Sequence, residues 1–188
     1  MTVHSMSSDW MIFSGGAPGS RTSKQETGDL FVATFTSSSE QVCMLRAPPW
    51  HFVYEGTIED GEALRDVLDP TGSASDELPG TPGDVIFAHI LACLGDLRLT
   101  PDMAMAKAAS DLHRAGRLGC AAFLCADTTN LYAYALGHRL FFKNVSDAIL
   151  VGSADIIGEG LTTRALQDGA LVAFARRPQL GWAVLAHP

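Results

Sequence analysis

Thr2 has the sharpest chemical potential in this sequence. Once an initiator methionine is removed, its hydroxyl would be a nucleophile and its own α-amine the general base. That chemistry needs the amine at the start of the strand entering the site. Seven residues separate Thr2 from Trp10, where the first apolar strand begins. A flexible polar stretch over residues 1–9 is the plainer expectation. A second set of groups is acidic. Glu55, Asp84 and Asp155 would form a pocket for a cationic or amine ligand if the fold gathered them. The alternative makes Glu55 a solvated loop carboxylate beside Gly56, a glycine expected to serve the backbone conformation of a turn.

Metal and phosphate chemistry find less support. His51, His89, His113 and His138 lack an H-x-x-x-H or H-x-H partner, so they read as satisfied or surface residues. Cys43, Cys93, Cys120 and Cys125 have no CxxC spacing and sit among apolar residues, as buried thiols do. Gly15-Gly16 and Ser37-Ser38-Ser39 are not followed by the GK[ST] of a phosphate loop. No metal and no cofactor is expected.

The scaffold for these groups is 188 residues long, with 47% hydrophobic and 18% charged residues. One domain spanning residues 1–188 fits that length, and the apolar content excludes global disorder. A net charge of −8 without a run of Lys or Arg disfavours nucleic acid and anionic membranes as partners. The longest nearly apolar run, residues 85–94, is half of the roughly 20 residues a membrane-spanning helix needs. With no signal-type N-terminus and no disulfide pattern, a cytoplasmic location is expected. Apolar and β-branched segments predict strands over residues 10–14, 30–36, 41–45 and 50–54. Helices are predicted over 61–68, 82–97 and 101–114, the last N-capped by Thr100. Strands then return over 121–126, 131–136, 139–143, 149–153, 171–175 and 182–186, while 15–28 and 69–83 read as loops. Strands flanking central helices imply facing sheets with helices covering at least one of them.

The stretch FVYEGTIEDGEALRDVLDP (52–70) resembles the class II glutamine amidotransferase domains of the Ntn-hydrolase superfamily. Their pattern here is a strand ending in F-V-H-N-G-x-I, followed by a short helix of the form x-x-L-x-x-x-L. Three further pieces follow in the family's order. GTPGDVIFAHILACLG (80–95) is similar to the segment reading S-D-T-E before an apolar helix. LYAYALGHRLFFKN (131–144) is similar to an L-x-A-x-R-x-G-x-x-L hairpin, with Ala135 in place of the arginine. ILVGSADIIGEG (149–160) is similar to a V-V-A-S-E-P strand end. The resemblance covers residues 9–177 and implies an α+β fold, a four-layer αββα sandwich.

By the same resemblance, the active-site positions depart from the family together. The family's nucleophile is an N-terminal cysteine, yet no cysteine precedes Cys43, and the first strand starts at Asp9-Trp10. Ala33 stands where an arginine would clamp the glutamine carboxylate, which a methyl group cannot do. The oxyanion-hole pair Asn-Gly reads Glu55-Gly56, and a carboxylate accepts hydrogen bonds where a donor is required. Pro82 replaces the aspartate that holds the substrate ammonium, with Asp84 at the glutamate position two residues on. The resemblance therefore implies a binding protein without glutaminase activity. Its partner would be a synthetase or complex subunit, or a small amine or amide ligand. The competing expectation is an active amidohydrolase or amidotransferase of the Ntn type with Thr2 as nucleophile.

Overall fold

The computed structural model describes residues 2–6, 10–14, 23–27, 30–34, 42–58, 61–68, 81–114, 119–127, 130–145, 148–152, 163–175 and 181–186. The chain enters through strands β1 (Thr2–Met6), β2 (Trp10–Ser14), β3 (Ser23–Thr27), β4 (Leu30–Thr34), β5 (Val42–Ala47) and β6 (Trp50–Ile58). Three helices follow: α1 (Gly61–Leu68), α2 (Pro82–Gly95) and α3 (Pro101–Arg114). Strands β7 (Gly119–Ala126), β8 (Asn130–Leu136), β9 (Phe141–Val145) and β10 (Ala148–Gly152) come next. The last are β11 (Arg164–Ala165), β12 (Leu171–Ala175) and β13 (Gly181–Ala186).

The strands make a six-stranded sheet in the order β13-β12-β8-β7-β6-β5, antiparallel throughout. A five-stranded sheet has the order β1-β2-β10-β9-β11, in which only β2 and β10 run parallel. β3 and β4 form a separate ribbon, with β4 lying against β1 and β2.

Side-chain alternation along the six-stranded sheet builds two cores. Phe52, Tyr54, Phe123, Cys125, Tyr132 and Tyr134 face the helices and pack with Ile86, Ile90, Met105 and Leu112. Their neighbours Val53, Ala122, Leu124, Leu131, Ala133 and Phe174 face the other way, onto Phe142 and Val151 of the five-stranded sheet. The layers therefore run helix, sheet, sheet, and the fold is α+β. Among the described residues all three helices belong to the core on one face of the six-stranded sheet. The outer helical layer of an αββα sandwich, expected on the far sheet, is not among them.

Several expectations need correction. Residues 2–6, expected within a flexible end, pair in register with β2, Thr2 opposite Ser14 and Met6 opposite Trp10. Ser23–Thr27, inside the expected loop 15–28, pairs with β4, so its polar composition is overridden by cross-strand hydrogen bonding. Residues 15–22, the loop 69–80, Ser37 to Ser39 and Asp155 lie outside the described residues. The Cys43 side chain lies outside them too, while Cys93 and Cys125 are buried thiols as expected.

One buried charge joins α2 to α3. Asp111, 5% exposed, takes His89 Nε2 at 3.1 Å, Lys107 Nζ at 2.6 Å and Arg114 Nη1 at 3.4 Å. Burial pulls the His89 imidazole below its ordinary value, against the opposing pull of Asp111. The sign follows from that depression. The folded state binds fewer protons than the unfolded one, so this histidine's stabilisation is lost as pH falls below the ordinary histidine range. Replacing Asp111 by alanine removes a buried, charge-assisted hub and is expected to cost about 2 kcal/mol, read as a lower urea midpoint. A midpoint unchanged by the substitution would show that the helices are held by apolar packing alone.

Candidate functional site

Glu55 follows Val53 on the inter-sheet face of β6, near the end of the strand, opposite Ala122, which pairs in turn with Ala135. It is no loop carboxylate: its side chain is 23% exposed and Oε2 lies 3.5 Å from Nε2 of His138. His138 is presented by the turn after β8, where Gly137 adopts φ +64. That turn is pinned by Asp168, whose Oδ1 accepts from Gly137 N at 2.7 Å, and by Gly169 N donating to the Ala135 carbonyl at 2.7 Å. Pairing with Glu55 raises the His138 pKa above its ordinary value, against the opposing effect of burial.

Cys120 completes the cluster. It stands opposite Thr57 in the β6–β7 register, with Sγ 3.1 Å from the Thr57 hydroxyl. Gly137 leans on it from the next turn, since a Cβ there would sit 3.1 Å from the Cys120 Cβ. The Thr57 hydroxyl lowers the Cys120 pKa, burial opposes this, and the His138 charge lowers it further. Cys120 is half-buried, a correction to the expectation that it is a buried thiol. Beside His138 opens a cleft of about 510 Å³ whose lining includes Arg139, Leu140, Ala165 and Asp168.

Gly56 is required for a reason other than the one expected. Its φ is not in the left-handed region, which among the described glycines belongs to Gly119, Gly137 and Gly169. A Cβ at Gly56 would collide with the Cys120 carbonyl oxygen and lie 2.7 Å from the Tyr54 hydroxyl. Close approach of neighbouring strands, not backbone handedness, is what excludes a side chain.

The other sequence-derived positions are placed elsewhere. Trp10 pairs with Ile149, which faces Asn144, whereas Phe13 pairs with Gly152, which faces Phe141. The end of β2 that meets the start of β9, just beyond His138, is therefore its Phe13 end. Ala33 lies in β4 opposite Lys24. Pro82 opens α2, and Asp84 is committed to a capping box: its Oδ2 accepts from Thr81 N at 2.7 Å and from Thr81 Oγ1 at 2.9 Å. Because α2 packs on the helical face while Glu55 points between the sheets, the expected acidic pocket is not assembled by these two residues. The T-x-x-D spacing of Thr81 and Asp84 carried that capping signal. No comparable local signal marks Cys120 and His138.

No protein-family model matches the sequence, and no curated protein matches it. Solved structures do. A glutamine aminotransferase class-II domain protein from Silicibacter pomeroyi superposes with TM-score 0.55 at 20% identity, over 85% of this chain and 75% of that one. A predicted glutamine amidotransferase from Pseudomonas aeruginosa gives TM-score 0.55 at 12% identity, over 85% and 72%. The glutamine phosphoribosylpyrophosphate amidotransferase of B. subtilis gives 0.55 at 18%, over 86% of this chain but 36% of the enzyme. The fold is that of class II glutamine amidotransferase domains. No helix among the described residues is long and apolar enough to cross a membrane.

Proposed function

We propose that this chain is a class II glutamine amidotransferase-like protein that does not hydrolyse glutamine and acts by binding. It would do so as a subunit beside a synthetase or other complex, or as a receptor for a small amine or amide. The observation that carries the reading is Glu55. This half-buried carboxylate, paired with His138, stands where the sequence resemblance aligns the family's oxyanion donor. Removing one such donor costs about 10²–10³ in kcat, and a carboxylate adds repulsion to the loss. Ala33 in place of the carboxylate clamp and Pro82 in place of the ammonium clamp support the same conclusion.

A second reading, an Ntn hydrolase with Thr2 as nucleophile, draws on one feature of the sheet. Thr2 opens β1 opposite Ser14, at the same end of the five-stranded sheet as Gly152 and Phe141. Ammonia and glutamate release from millimolar glutamine separates the two. The expected result is no turnover above blank for the wild type, for Thr2→Ala or for Glu55→Asn. Turnover abolished by Thr2→Ala would replace the binding reading with the hydrolase one.

A further inference from the structure

We propose that β13 is a pairing edge through which two copies of this chain associate, their β13 strands antiparallel about a two-fold axis at Ala183. The binding reading above does not depend on it. β13 ends the six-stranded sheet, so one side of its backbone has no strand partner among the described residues. Such an edge is a template for another strand unless something guards it. The other three edges of the two large sheets are guarded. β5 carries Arg46 and runs toward Pro48-Pro49. β1 is polar and has β4 against it, and β11 is two residues long. β13 reads GWAVLA, with no charge, no proline and three successive exposed residues, Trp182, Ala183 and Val184.

The faces of the strand select a second copy as the partner. Trp182 and Val184 pair with Phe174 and Val172, so both belong to the inter-sheet face, where Trp182 meets the Phe142 ring at 5.3 Å. They remain 41% and 39% exposed. Arg164 of the short β11, its guanidinium 5.4 Å from the Trp182 ring, marks the end of the five-stranded sheet at this flank. Ala183 pairs with Ala173 on the helical face. An axis through Ala183 sets each Trp182 opposite Val184 of the second copy, an aromatic and β-branched pair of the kind that stabilises strand contacts. Both large exposed side chains are then covered at once, and symmetry repeats the match. Centring the axis on Val184 would set Trp182 against Ala186, which lies beyond the bulge at Leu185 and on the helical face.

Charge and area set the strength. Two chains of net charge −8 repel, and a contact strand without charged side chains adds no like charges at the seam. The bulge limits regular pairing to residues 181–185 of each copy. That contact falls short of the roughly 1,000 Å² of a stable interface, so the dimer is weak, with a dissociation constant on the order of 10–100 µM.

The test is sedimentation velocity of the full chain over roughly 5–500 µM, which brackets that constant. The mass should rise with concentration from that of one chain toward that of two, and no further. Ala183→Lys and Ala183→Glu, each with its urea midpoint checked, put like charges across the axis and should weaken association at least about tenfold. Mixed in equal amounts, the two variants should regain it, because opposite charges then face each other. A wild type that stays monomeric across the range overturns the proposal. So does association that grows past two chains, survives both substitutions or is not restored by mixing. Should either variant unfold, hydrogen exchange of the wild type decides: β13 amides should gain protection with concentration while those of β5 do not. Protection of β13 that is independent of concentration overturns the proposal.

Discussion

Replacing Phe123 by alanine is expected to lower the folding free energy by about 3–5 kcal/mol. Phe123 is 1% exposed at the centre of the six-stranded sheet. Its ring stacks on Phe52 at 5.8 Å and on Tyr134 at 5.3 Å, and Phe52 stacks in turn on Phe87 of α2 at 5.0 Å. The four rings make a column that crosses β8, β7 and β6 and ends on a helix. Deleting the ring next to the column's centre leaves a cavity that strand backbones, fixed by ladder hydrogen bonds, cannot close by shifting. Domains are stable by only about 5–15 kcal/mol, so the variant should sit near the edge of folding. Urea denaturation measures the loss, and Phe123→Leu serves as the volume control at below about 1.5 kcal/mol. A loss under about 1 kcal/mol for the alanine variant would mean that the column is not packed as described.

The same alternation that builds this column explains what was legible in the sequence. The amphipathic spacing of Leu64, Val67 and Leu68 and the Thr100 cap define α1 and α3 at the bounds observed, 61–68 and 101–114. The apolar strands β6, β7, β8 and β12 at the middle of the six-stranded sheet are equally plain, because they contribute buried residues to both faces. Strands of the other kind are not. Thr2–Met6, Ser23–Thr27 and Arg164–Ala165 are polar or very short, and only their distant partners make them strands. The site divides along the same line. Glu55-Gly56 stands out in the sequence as a strand end followed by a helix, a feature contained within one segment. Cys120 and His138 meet Glu55 and Thr57 only through the β6–β7 register and the Gly137 turn, contacts between segments that no local spacing encodes.

Gly56 is where fold and site depend on one atom, and Gly56→Ala is expected to cost about 3 kcal/mol. The added methyl would meet the Cys120 carbonyl oxygen, the Ala121 Cα at 3.0 Å and the Tyr54 hydroxyl at 2.7 Å. Two of these belong to the backbone of the neighbouring strand, so no rotamer change relieves the clash, and β6 and β7 must separate. Separation at this point pulls Thr57 away from Cys120, its direct partner in the register. For a chain of 188 residues the loss corresponds to a fall in Tm of roughly 6–12 °C. A thermal melt checks that value. Because the obstacle is space and not a left-handed φ, Gly56→Ser should be no better tolerated than alanine. A Tm within about 2 °C of the wild type would mean that the strands do not approach each other this closely at Gly56.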